Sequence, residues 1–370
     1  MEILAVNAGS SSLKLSLIAD DDRISIEREL DAPKAQVDRG QLDAALRGGL
    51  ADVDAVAHRI VHGGERFTGP VLVDGEVTRA LQQLTDLAPL HQPKSLEALR
   101  AVTERLPDTP AVACFDTAFH RTLSPAAATY PLPARWRERW GLRRFGFHGL
   151  SHAWIARRVL QLCPDLPQSA RIVSCHLGAG ASLCAIAGGA SVDTTMGFTP
   201  LDGLVMATRS GSVDPGMLMW LLEHDRMTER ELAQSLEHES GLAGLAGTGD
   251  MREILSRTGA GDETAQLALD VYTHRLRSLI GAMAAAMAGI DVLAFTGGVG
   301  ERSAEVRSRA ADGLGFLGVE LDAHRNTAAA SDAEIGLDTA PVRTLVVTAR
   351  EDLEMAREAR SLLRERPTAG

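Results

Sequence analysis

The sequence predicts an α/β protein built from two related halves. In both halves, short apolar runs typical of buried strands alternate with stretches of helical hydrophobic spacing. A glycine- and serine-rich turn between two apolar runs opens the chain, as ILAVNAGSSSLKLSLI, and a similar unit returns from residue 171, as RIVSCHLGAGASLCAI. The chain also has 370 residues, more than one ordinary core accommodates. We therefore expect two related α/β domains, divided near residue 150.

The first half is expected to begin with a β-meander. Its first two strands flank a turn at residues 7–12, and two later apolar runs, each followed by polar residues, are also predicted as strands. Two segments between these later strands have helical spacing. The predicted strands are residues 3–6, 13–18, 55–60 and 112–115, and the predicted helices are residues 77–87 and 95–106.

The second half is expected to begin with a helix that Ser151 caps and Pro164 closes. The repeated strand–turn–strand unit follows, and helices and strands then alternate. Strands are predicted at residues 171–176, 182–186, 292–296 and 342–348, and helices at residues 151–162, 216–223, 229–236, 263–288 and 353–364.

The composition limits the class of protein. The net charge of -11 argues against a nucleic-acid or membrane-surface partner, although a few local cations could still bind an anion. The most apolar long run, residues 279–290, is too short to span a bilayer, and the N-terminus does not resemble a signal peptide. The four cysteines have no CxxC spacing, so we expect buried free thiols and a cytoplasmic protein.

Three glycine-rich turns follow predicted strands, at residues 7–12, 177–182 and 297–300. Glycine lets backbone N–H groups approach phosphate oxygens without interference from a Cβ atom. A single such turn is usually structural, but three, two of them in a repeat, favour a phosphate-bearing ligand. The first turn is not a Walker A loop, because Lys14 lies in the following strand rather than at the start of a helix.

The third turn also offers part of a dinucleotide fingerprint. Gly298 and Gly300 follow a predicted strand, and Glu320 lies at about the right distance beyond them. Ser303, however, stands where the third glycine belongs, which disfavours a Rossmann cofactor site.

Polar side chains concentrate after several strands and in one loop. HRIVHGG, FDTAFH, FGFHG and TRSG begin at residues 58, 115, 145 and 208. The ends of strands are where α/β folds collect ligand-binding groups. Any one of these histidines or arginines is more often a cap or a surface pair, but two arginines and several imidazoles together favour an anion site.

Several of these segments resemble the acetate kinase family. NAGSSSLK, HRIVHGG, FDTAFH, GFHGLSH and DTTMGFTPLDGLVMATRSGSVDP carry the resemblance, which extends from residue 1 to about residue 357. It implies two actin-like (ribonuclease H-like) ATPase domains with a cleft between them, and a homodimer. It also implies reversible Mg²⁺-ATP-dependent phosphorylation of acetate to acetyl phosphate, with Mn²⁺ able to replace Mg²⁺. The N-terminal domain would be residues 1–150, completed by a C-terminal helix at 353–370, and residues 151–352 would bind the nucleotide.

Matched position by position, the resemblance implies roles for individual residues. Arg59 and Arg209 would hold the substrate carboxylate and the transferring phosphoryl group. The catalytic positions are Asp116, His148 and Arg209, the magnesium positions Asn7 and Glu351, and the methyl pocket Val61, Leu90, Phe147 and Pro200. The nucleotide contacts are Lys14, then His176, Leu177, Gly178, Ala179 and Gly180, then Asp250, Met251 and Arg252, and finally Gly298, Val299, Gly300, Glu301 and Arg302.

The chain departs from the family's pattern at a few positions. Ala179 stands where the family usually has Asn, so a side-chain donor to the nucleotide is missing. A hydrogen bond to a charged group contributes about 1.5–3 kcal/mol, and weaker nucleotide binding is expected. Gln92, Leu150 and Asp202 replace an expected Asn, Thr and Glu, and Arg302 replaces an Asn beside the adenine turn, which leaves the base preference open.

These residue types suit phosphoryl transfer, which needs positioning and charge neutralisation more than bond-making groups. Two guanidinium groups can hold a carboxylate and a phosphoryl group that would otherwise repel each other, with His148 as a further donor. Because acetate is already ionised at neutral pH, no proton has to leave it. We therefore expect Asp116 to orient an arginine or a metal-bound water rather than to act as a base.

Other functions fit the sequence less well. A propionate or butyrate kinase would use the same chemistry with a larger pocket, and Val61 favours acetate while leaving some activity on propionate. An actin-like module that hydrolyses ATP to drive partner binding would need a peptide-binding or polymerising segment, which we do not expect here. A sugar kinase would need carboxylates and amides for hydroxyl groups, where this site is apolar and lined by arginines.

Overall fold

The structure is a computed structural model that describes residues 1–9, 12–31, 38–88 and 92–365. The chain forms two compact units. The first unit comprises Met1–Arg121, Phe147–Trp154 and the segment from Arg350 onward, and the second comprises Thr122–Gly146 and Ile155–Ala349. The division into functional domains at residues 1–150 and 151–352 stays a prediction.

The first unit is built on a six-stranded mixed sheet with the order β3-β2-β1-β4-β6-β5. Strands β1, β2 and β3 pair antiparallel, as the predicted meander requires, whereas β1, β4 and β6 are parallel neighbours. The strands are β1 Ile3–Ala8, β2 Ser12–Ile18, β3 Ile24–Asp31, β4 Ala55–Ile60, β5 Val71–Leu72 and β6 Ala111–Phe115.

Both faces of this sheet are covered by helices. The helices of this part of the chain are α1 Arg39–Ala45, α2 Gly75–Gln83 and α3 Gln92–Thr103, with a helix from the end of the chain that is designated α15, Glu351–Arg364. Successive residues of β1 point to opposite faces: Leu4 packs in the cluster that includes α1 and α3, and Ile3 in the cluster that includes α15. The central strands are therefore buried on both sides, which explains their continuous apolar runs.

The second unit contains a sheet with the order β9-β8-β7-β10-β12-β11. Here β7, β8 and β9 pair antiparallel, and β10 is parallel to both β7 and β12. Its strands are β7 Arg171–Leu177, β8 Ala181–Ala187, β9 Ala190–Thr194, β10 Val292–Thr296, β11 Ala333–Glu334 and β12 Arg343–Val346.

The remaining helices lie between residues 125 and 328. They are α4 Pro125–Ala128, α5 Ala134–Trp140, α6 Gly149–Leu162, α7 Pro215–His224, α8 Glu229–His238, α9 Gly241–Ala246, α10 Met251–Gly259, α11 Glu263–Ala286, α12 Gly297–Arg302, α13 Ala304–Ala311 and α14 Ala323–Ala328. Across the described ranges, no helix is both long enough and apolar enough to cross a membrane.

The two sheets have the same strand order and the same pattern of antiparallel and parallel pairs. The repeated sequence unit forms β1 and β2 in one sheet and β7 and β8 in the other. This confirms the predicted α/β fold with two related halves. The four cysteines are buried and carry free thiols, as predicted.

Two local predictions are wrong. Helix α6 begins at Gly149, two residues before the predicted cap, and Ser151 is a buried residue of its first turn. The helix can start there because His148 adopts a left-handed backbone with φ of 55° and accepts the N–H of His152. The third glycine segment is not a free turn but the start of α12, which begins directly after β10.

Candidate active site

Arg59 and Asp116 lie at the carboxyl ends of neighbouring parallel strands of the first unit. Arg59 belongs to β4, and Asp116 directly follows β6. The guanidinium donates from Nε to Asp116 Oδ1 at 3.0 Å and from Nη2 to Oδ2 at 2.6 Å. The side chains are only 15% and 2% exposed. Such a two-point pair fixes the plane of the guanidinium.

Asn7 and Glu351 complete this cluster. Arg59 Nη1 donates to Asn7 Oδ1 at 3.1 Å, and Asn7 Nδ2 donates to Glu351 Oε2 at 2.9 Å. Asn7 lies near the end of β1 and Glu351 is the first residue of α15, so four distant segments of sequence meet here. The structure thus brings together four residues for which the family resemblance implies three different roles: substrate binding, catalysis and magnesium binding.

The oxygen atoms of Asn7 and Glu351 are of the kind that Mg²⁺ binds. Magnesium is usually held by one or two carboxylates together with waters and substrate phosphates rather than by a complete protein cage. Within the described part of the chain, no group of three or more His, Cys, Asp or Glu side chains could hold a metal ion. The two oxygen donors of Asn7 and Glu351 fit a Mg²⁺ ion that a phosphate ligand also binds.

Burial and charge act in opposite directions on the central pair. Burial alone lowers the pKa of Arg59, but the carboxylates of Asp116 and Glu351 outweigh it and raise that pKa above its ordinary value. Burial raises the pKa of the Asp116 carboxyl above its ordinary value, against the opposing effect of Arg59. Because both Asp116 oxygens accept hydrogen bonds from Arg59, we describe the pair as guanidinium and carboxylate.

His148 is placed beside Asp116 by its backbone. The N–H of Gly149 donates to the Asp116 carbonyl oxygen at 2.8 Å, and a Cβ atom on Gly149 would collide with that oxygen. His148 precedes this glycine and has a left-handed φ of 55°, which is costly for a residue with a side chain. Such strain is typical of functional positions, and no feature of the sequence predicted it.

Val61 and Phe147, the predicted pocket residues of the first unit, flank His62. Phe147 is fully buried and meets the His62 ring edge-on, with 5.5 Å between ring centroids. The amide of Gln92 clamps the backbone of His62, accepting from its N–H and donating to its carbonyl, both at 3.1 Å. The sequence showed Gln92 only as a departure from the family, and Leu90 lies outside the described residues.

Arg209 and Pro200 meet in the second unit. Arg209 Nη1 donates to the Pro200 carbonyl oxygen at 3.0 Å, and Nε lies 3.4 Å from Glu237 Oε2. Burial lowers the pKa of Arg209, and Glu237 opposes that effect. Glu237 belongs to no recognisable motif, so sequence reasoning missed it; only its charge on the amphipathic helix α8 could have suggested it.

The predicted phosphate loop of the second unit, residues 176–180, comprises the last two residues of β7 and the turn that leads into β8. The Gly178 N–H donates to the Gly180 carbonyl at 3.0 Å, which closes the turn. The Ala179 carbonyl accepts the N–H of Ala207 at 3.1 Å, two residues before Arg209. Ala179 therefore retains a backbone role that does not need the side chain usual in the family.

The remaining nucleotide candidates occupy helix starts and one strand. Asp250 caps α10 by accepting the N–H of Arg252 at 2.9 Å, and it also pairs with the Arg252 guanidinium at 2.7 Å. Met251 is the first residue of α10, and Gly298, Val299, Gly300, Glu301 and Arg302 belong to α12. Lys14, in β2 of the first unit, pairs with Glu27 at 3.1 Å and is opposite Asn7 in the sheet.

A repeated actin-like fold with glycine turns and two arginines that are only 15% and 18% exposed suits an enzyme of phosphoryl transfer. The chain belongs to the acetokinase family, whose model matches residues 35–357. The acetate kinase of Microcystis aeruginosa is 44% identical over 96% of this chain and 87% of that protein. The acetate kinase of Synechococcus sp. is 42% identical over 98% of this chain and 99% of that protein.

Solved structures agree with this assignment. The acetate kinase of Porphyromonas gingivalis is 32% identical, with a TM-score of 0.88 over 98% of this chain and 99% of that one. A propionate kinase of Francisella tularensis is also 32% identical, with a TM-score of 0.89 over 96% of this chain and 98% of that one. The actin-like α/β fold predicted from the sequence is confirmed.

Proposed function

We propose that this protein is an acetate kinase, which transfers the γ-phosphoryl group of ATP to acetate and catalyses the reverse reaction. The observation that carries the proposal is the buried pair of Arg59 and Asp116, with Asn7 and Glu351 beside it. It supplies a fixed cation for an anionic substrate next to oxygen donors for a metal. Membership of the acetokinase family supports the same reaction.

The proposed reaction needs no general base. Acetate is ionised at neutral pH, so its carboxylate oxygen can attack the γ-phosphorus directly while the bond to the ADP oxygen breaks. We assign Arg59 and Arg209 to the substrate carboxylate and the transferring phosphoryl group, and His148 to a donor role towards the latter. Asp116 acts through Arg59, whose guanidinium it orients, and is a positioning residue.

We assign Asn7 and Glu351 to Mg²⁺, with Mn²⁺ able to replace it. When bound, the ion neutralises part of the charge on the phosphates. Asn7 links Arg59 to Glu351 through its amide, so the metal donors and the substrate cation share one hydrogen-bonded group.

The nucleotide contacts assigned by resemblance remain part of the proposal. They are Lys14, residues 176–180, residues 250–252 and residues 298–302. On the same resemblance, we also propose that the enzyme is cytoplasmic and forms a homodimer. Sedimentation of the purified protein tests the homodimer.

Trapping of the acyl phosphate with hydroxylamine tests the reaction. Purified protein with ATP, Mg²⁺ and acetate should form acetyl hydroxamate, and Arg59→Met should form almost none. Failure of the wild-type protein to form acetyl hydroxamate, under conditions in which it is folded and binds ADP, would contradict the proposal.

Propionate kinase is the second candidate, since a solved propionate kinase has the same fold at 32% identity. We favour acetate because two of the residues assigned to the methyl pocket, Val61 and Phe147, are buried apolar side chains, 8% and 1% exposed, and Val61 is β-branched. A methylene group in such a pocket changes the transition-state free energy by about 1–3 kcal/mol. We expect kcat/KM to be about tenfold higher for acetate, and Val61→Ala to narrow that ratio. An unchanged ratio would show that Val61 does not line the pocket.

A further inference from the structure

Arg307, in α13 of the second unit, is a fully buried cation. Its side chain is 1% exposed, and it is among the largest fully buried side chains. Nε donates to Asn326 Oδ1 at 2.7 Å, and Nη2 donates to the Asn326 carbonyl oxygen at 2.6 Å. Nη1 donates to the carbonyl oxygens of Gly300 at 2.9 Å and Glu301 at 2.8 Å. Among the described residues, no carboxylate forms an ion pair with it.

Burying a guanidinium without a counter-charge is unfavourable unless hydrogen bonds satisfy its donors, as the four here do. Burial lowers the pKa of Arg307, as expected for a charge taken out of water. A well-packed apolar side chain is often at least as stabilising at a buried position as a charged one. The four hydrogen bonds therefore point to a role in holding their acceptors in place.

Two of these acceptors, the carbonyls of Gly300 and Glu301, lie in the last turn of α12. The carbonyls at the end of a helix have no partners within the helix and favour a cation. Arg307 Nη1 bridges two of them, Gly300 and Glu301, while Asn326 holds the other side of the guanidinium. Arg307 thus links α12 to α14.

The start of α12 is held equally firmly. Glu301 Oε1 accepts the N–H of Gly297 and the N–H of Ala349, each at 2.9 Å. Gly297 has a φ of 77°, and a Cβ atom there would lie 2.7 Å from the carbonyl oxygen of Leu177 in the phosphate loop. The segment 297–301 is therefore fixed at its first residue by Glu301 and at its last residues by Arg307.

We propose that Arg307 is a positioning residue for the nucleotide: it holds residues 297–301 in the geometry that adenosine binding requires, without touching the nucleotide. Asn326 in turn fixes the orientation of Arg307. This inference rests on the proposed function, in which residues 298–302 contact adenosine. It assigns nucleotide affinity to a buried residue behind the contact surface.

Substitution of Arg307 by Lys tests the proposal. A lysine ammonium cannot span the Gly300 and Glu301 carbonyls together with both Asn326 acceptors. We expect Arg307→Lys to bind ADP about tenfold more weakly in isothermal titration and to raise the KM for ATP by about the same factor, because small displacements of contact groups are costly. The KM for acetate should stay within about twofold of the wild-type value, since acetate does not contact α12 in the proposed site.

Arg171→Lys is the matched control. Arg171 also donates to a backbone carbonyl, that of Ala288, and pairs with Asp291, but it lies at the amino ends of β7 and β10. Gly297 follows the carboxyl end of β10, at the opposite end of the sheet. Arg171→Lys should lower the melting temperature and leave the ADP affinity unchanged.

If Arg307→Lys does not fold, the variant Asn326→Ala tests the positioning role of Arg307. It removes the acceptor of Arg307 Nε and should weaken ADP binding about fivefold, again without a change in the KM for acetate. A folded Arg307→Lys or Asn326→Ala protein with wild-type ADP affinity would overturn the proposal. An equal loss of ADP and acetate affinity would also overturn it, since that result indicates general disruption.

The proposed function can fail separately. A wild-type protein that binds ADP but forms no acetyl phosphate would contradict the acetate kinase reaction, and the ADP affinities would still decide the role of Arg307. A wild-type protein that binds no ADP would overturn both.

Discussion

The two arginines proposed to bind the substrates, Arg59 in the first unit and Arg209 in the second, are held in different ways. Arg59 makes two hydrogen bonds of 2.6 and 3.0 Å to the Asp116 oxygens and a third contact to Asn7. Arg209 Nη1 donates to the Pro200 carbonyl at 3.0 Å and lies 3.5 Å from Met206 Sδ, and its Nε lies 3.4 Å from Glu237 Oε2. The pKa of Arg59 is raised by its carboxylates, whereas burial dominates at Arg209 and lowers its pKa. The two-point contact of Arg59 with Asp116 therefore orients the guanidinium more tightly than the 3.4 Å contact between Arg209 and Glu237 does.

The difference originates in the supporting structure. Arg59 and Asp116 are placed by two adjacent parallel strands, which set the spacing of their side chains. Arg209 lies in a loop. The carbonyl oxygen of Arg209 itself packs against Gly241, the first residue of α9. We expect a group on a loop to adjust more readily than a group on a central strand.

The largest expected effect comes from replacing each arginine by lysine. Arg59→Lys loses the two-point contact with Asp116, and we expect kcat/KM for acetate to fall about a thousandfold. Arg209→Lys keeps an ammonium beside Glu237 and the Pro200 carbonyl, and we expect a fall of about a hundredfold. Steady-state kinetics of both variants measure the difference. An equal fall in kcat/KM in the two variants, or a larger fall in Arg209→Lys, would show that Arg59 is not the more tightly oriented arginine.

The carboxylate partners provide the next test. Asp116→Asn leaves Arg59 without its buried counter-charge, and we expect kcat/KM to fall about a hundredfold, whereas Glu237→Gln should cost about fivefold. Both changes preserve side-chain shape, so each serves as the control for the other. A larger fall in kcat/KM for Glu237→Gln than for Asp116→Asn would show that the contact between Arg209 and Glu237 contributes more to catalysis than the pair of Arg59 and Asp116.

The smallest expected effect concerns acid stability of the strand that carries Arg59. His58 in β4 is buried, and neither of its ring nitrogens has a partner among the described residues. Burial lowers its pKa to about 3, from an ordinary value of 6.5. The unfolded chain therefore takes up a proton below pH 6.5 that the folded chain refuses down to about pH 3, so acid destabilises the fold over that range.

His58→Leu should remove this contribution. Between pH 7 and pH 5 the wild-type protein should lose about 2 kcal/mol of unfolding free energy that the variant retains. Hydrogen exchange of the β4 amides at the two pH values, corrected for intrinsic rates, measures the loss. The same pH dependence in both proteins would show that His58 is hydrated or paired.

Much of the fold could be predicted from the sequence. Apolar spacing predicted a long helix at residues 263–288, and the observed helix is Glu263–Ala286. The strand predicted at residues 292–296 has the observed bounds. The internal repeat predicted two sheets of like topology because a local strand–turn–strand unit is visible in a short window. The predicted start of α6 was wrong because the true start depends on the hydrogen bond from Gly149 to Asp116, two residues that are distant in sequence.

The supporting residues of the site were largely invisible in the sequence. Gln92 and Glu237 each contact a residue about 30 positions away in the chain, and Arg307 bridges two neighbouring helices; no motif marks any of the three. Residue types near strand ends indicated which side chains could meet a ligand. They did not indicate which side chains orient them, because that depends on tertiary packing.

The positioning role of Asp116 is tested most directly by the pH dependence of kcat/KM for acetate, measured in the wild-type enzyme and in Asp116→Asn. If Asp116 orients Arg59, the variant should be slower by a constant factor and should keep the acidic limb of the wild-type profile. If the acidic limb disappears in the variant, Asp116 accepts a proton in the reaction, and the positioning role assigned to it is wrong.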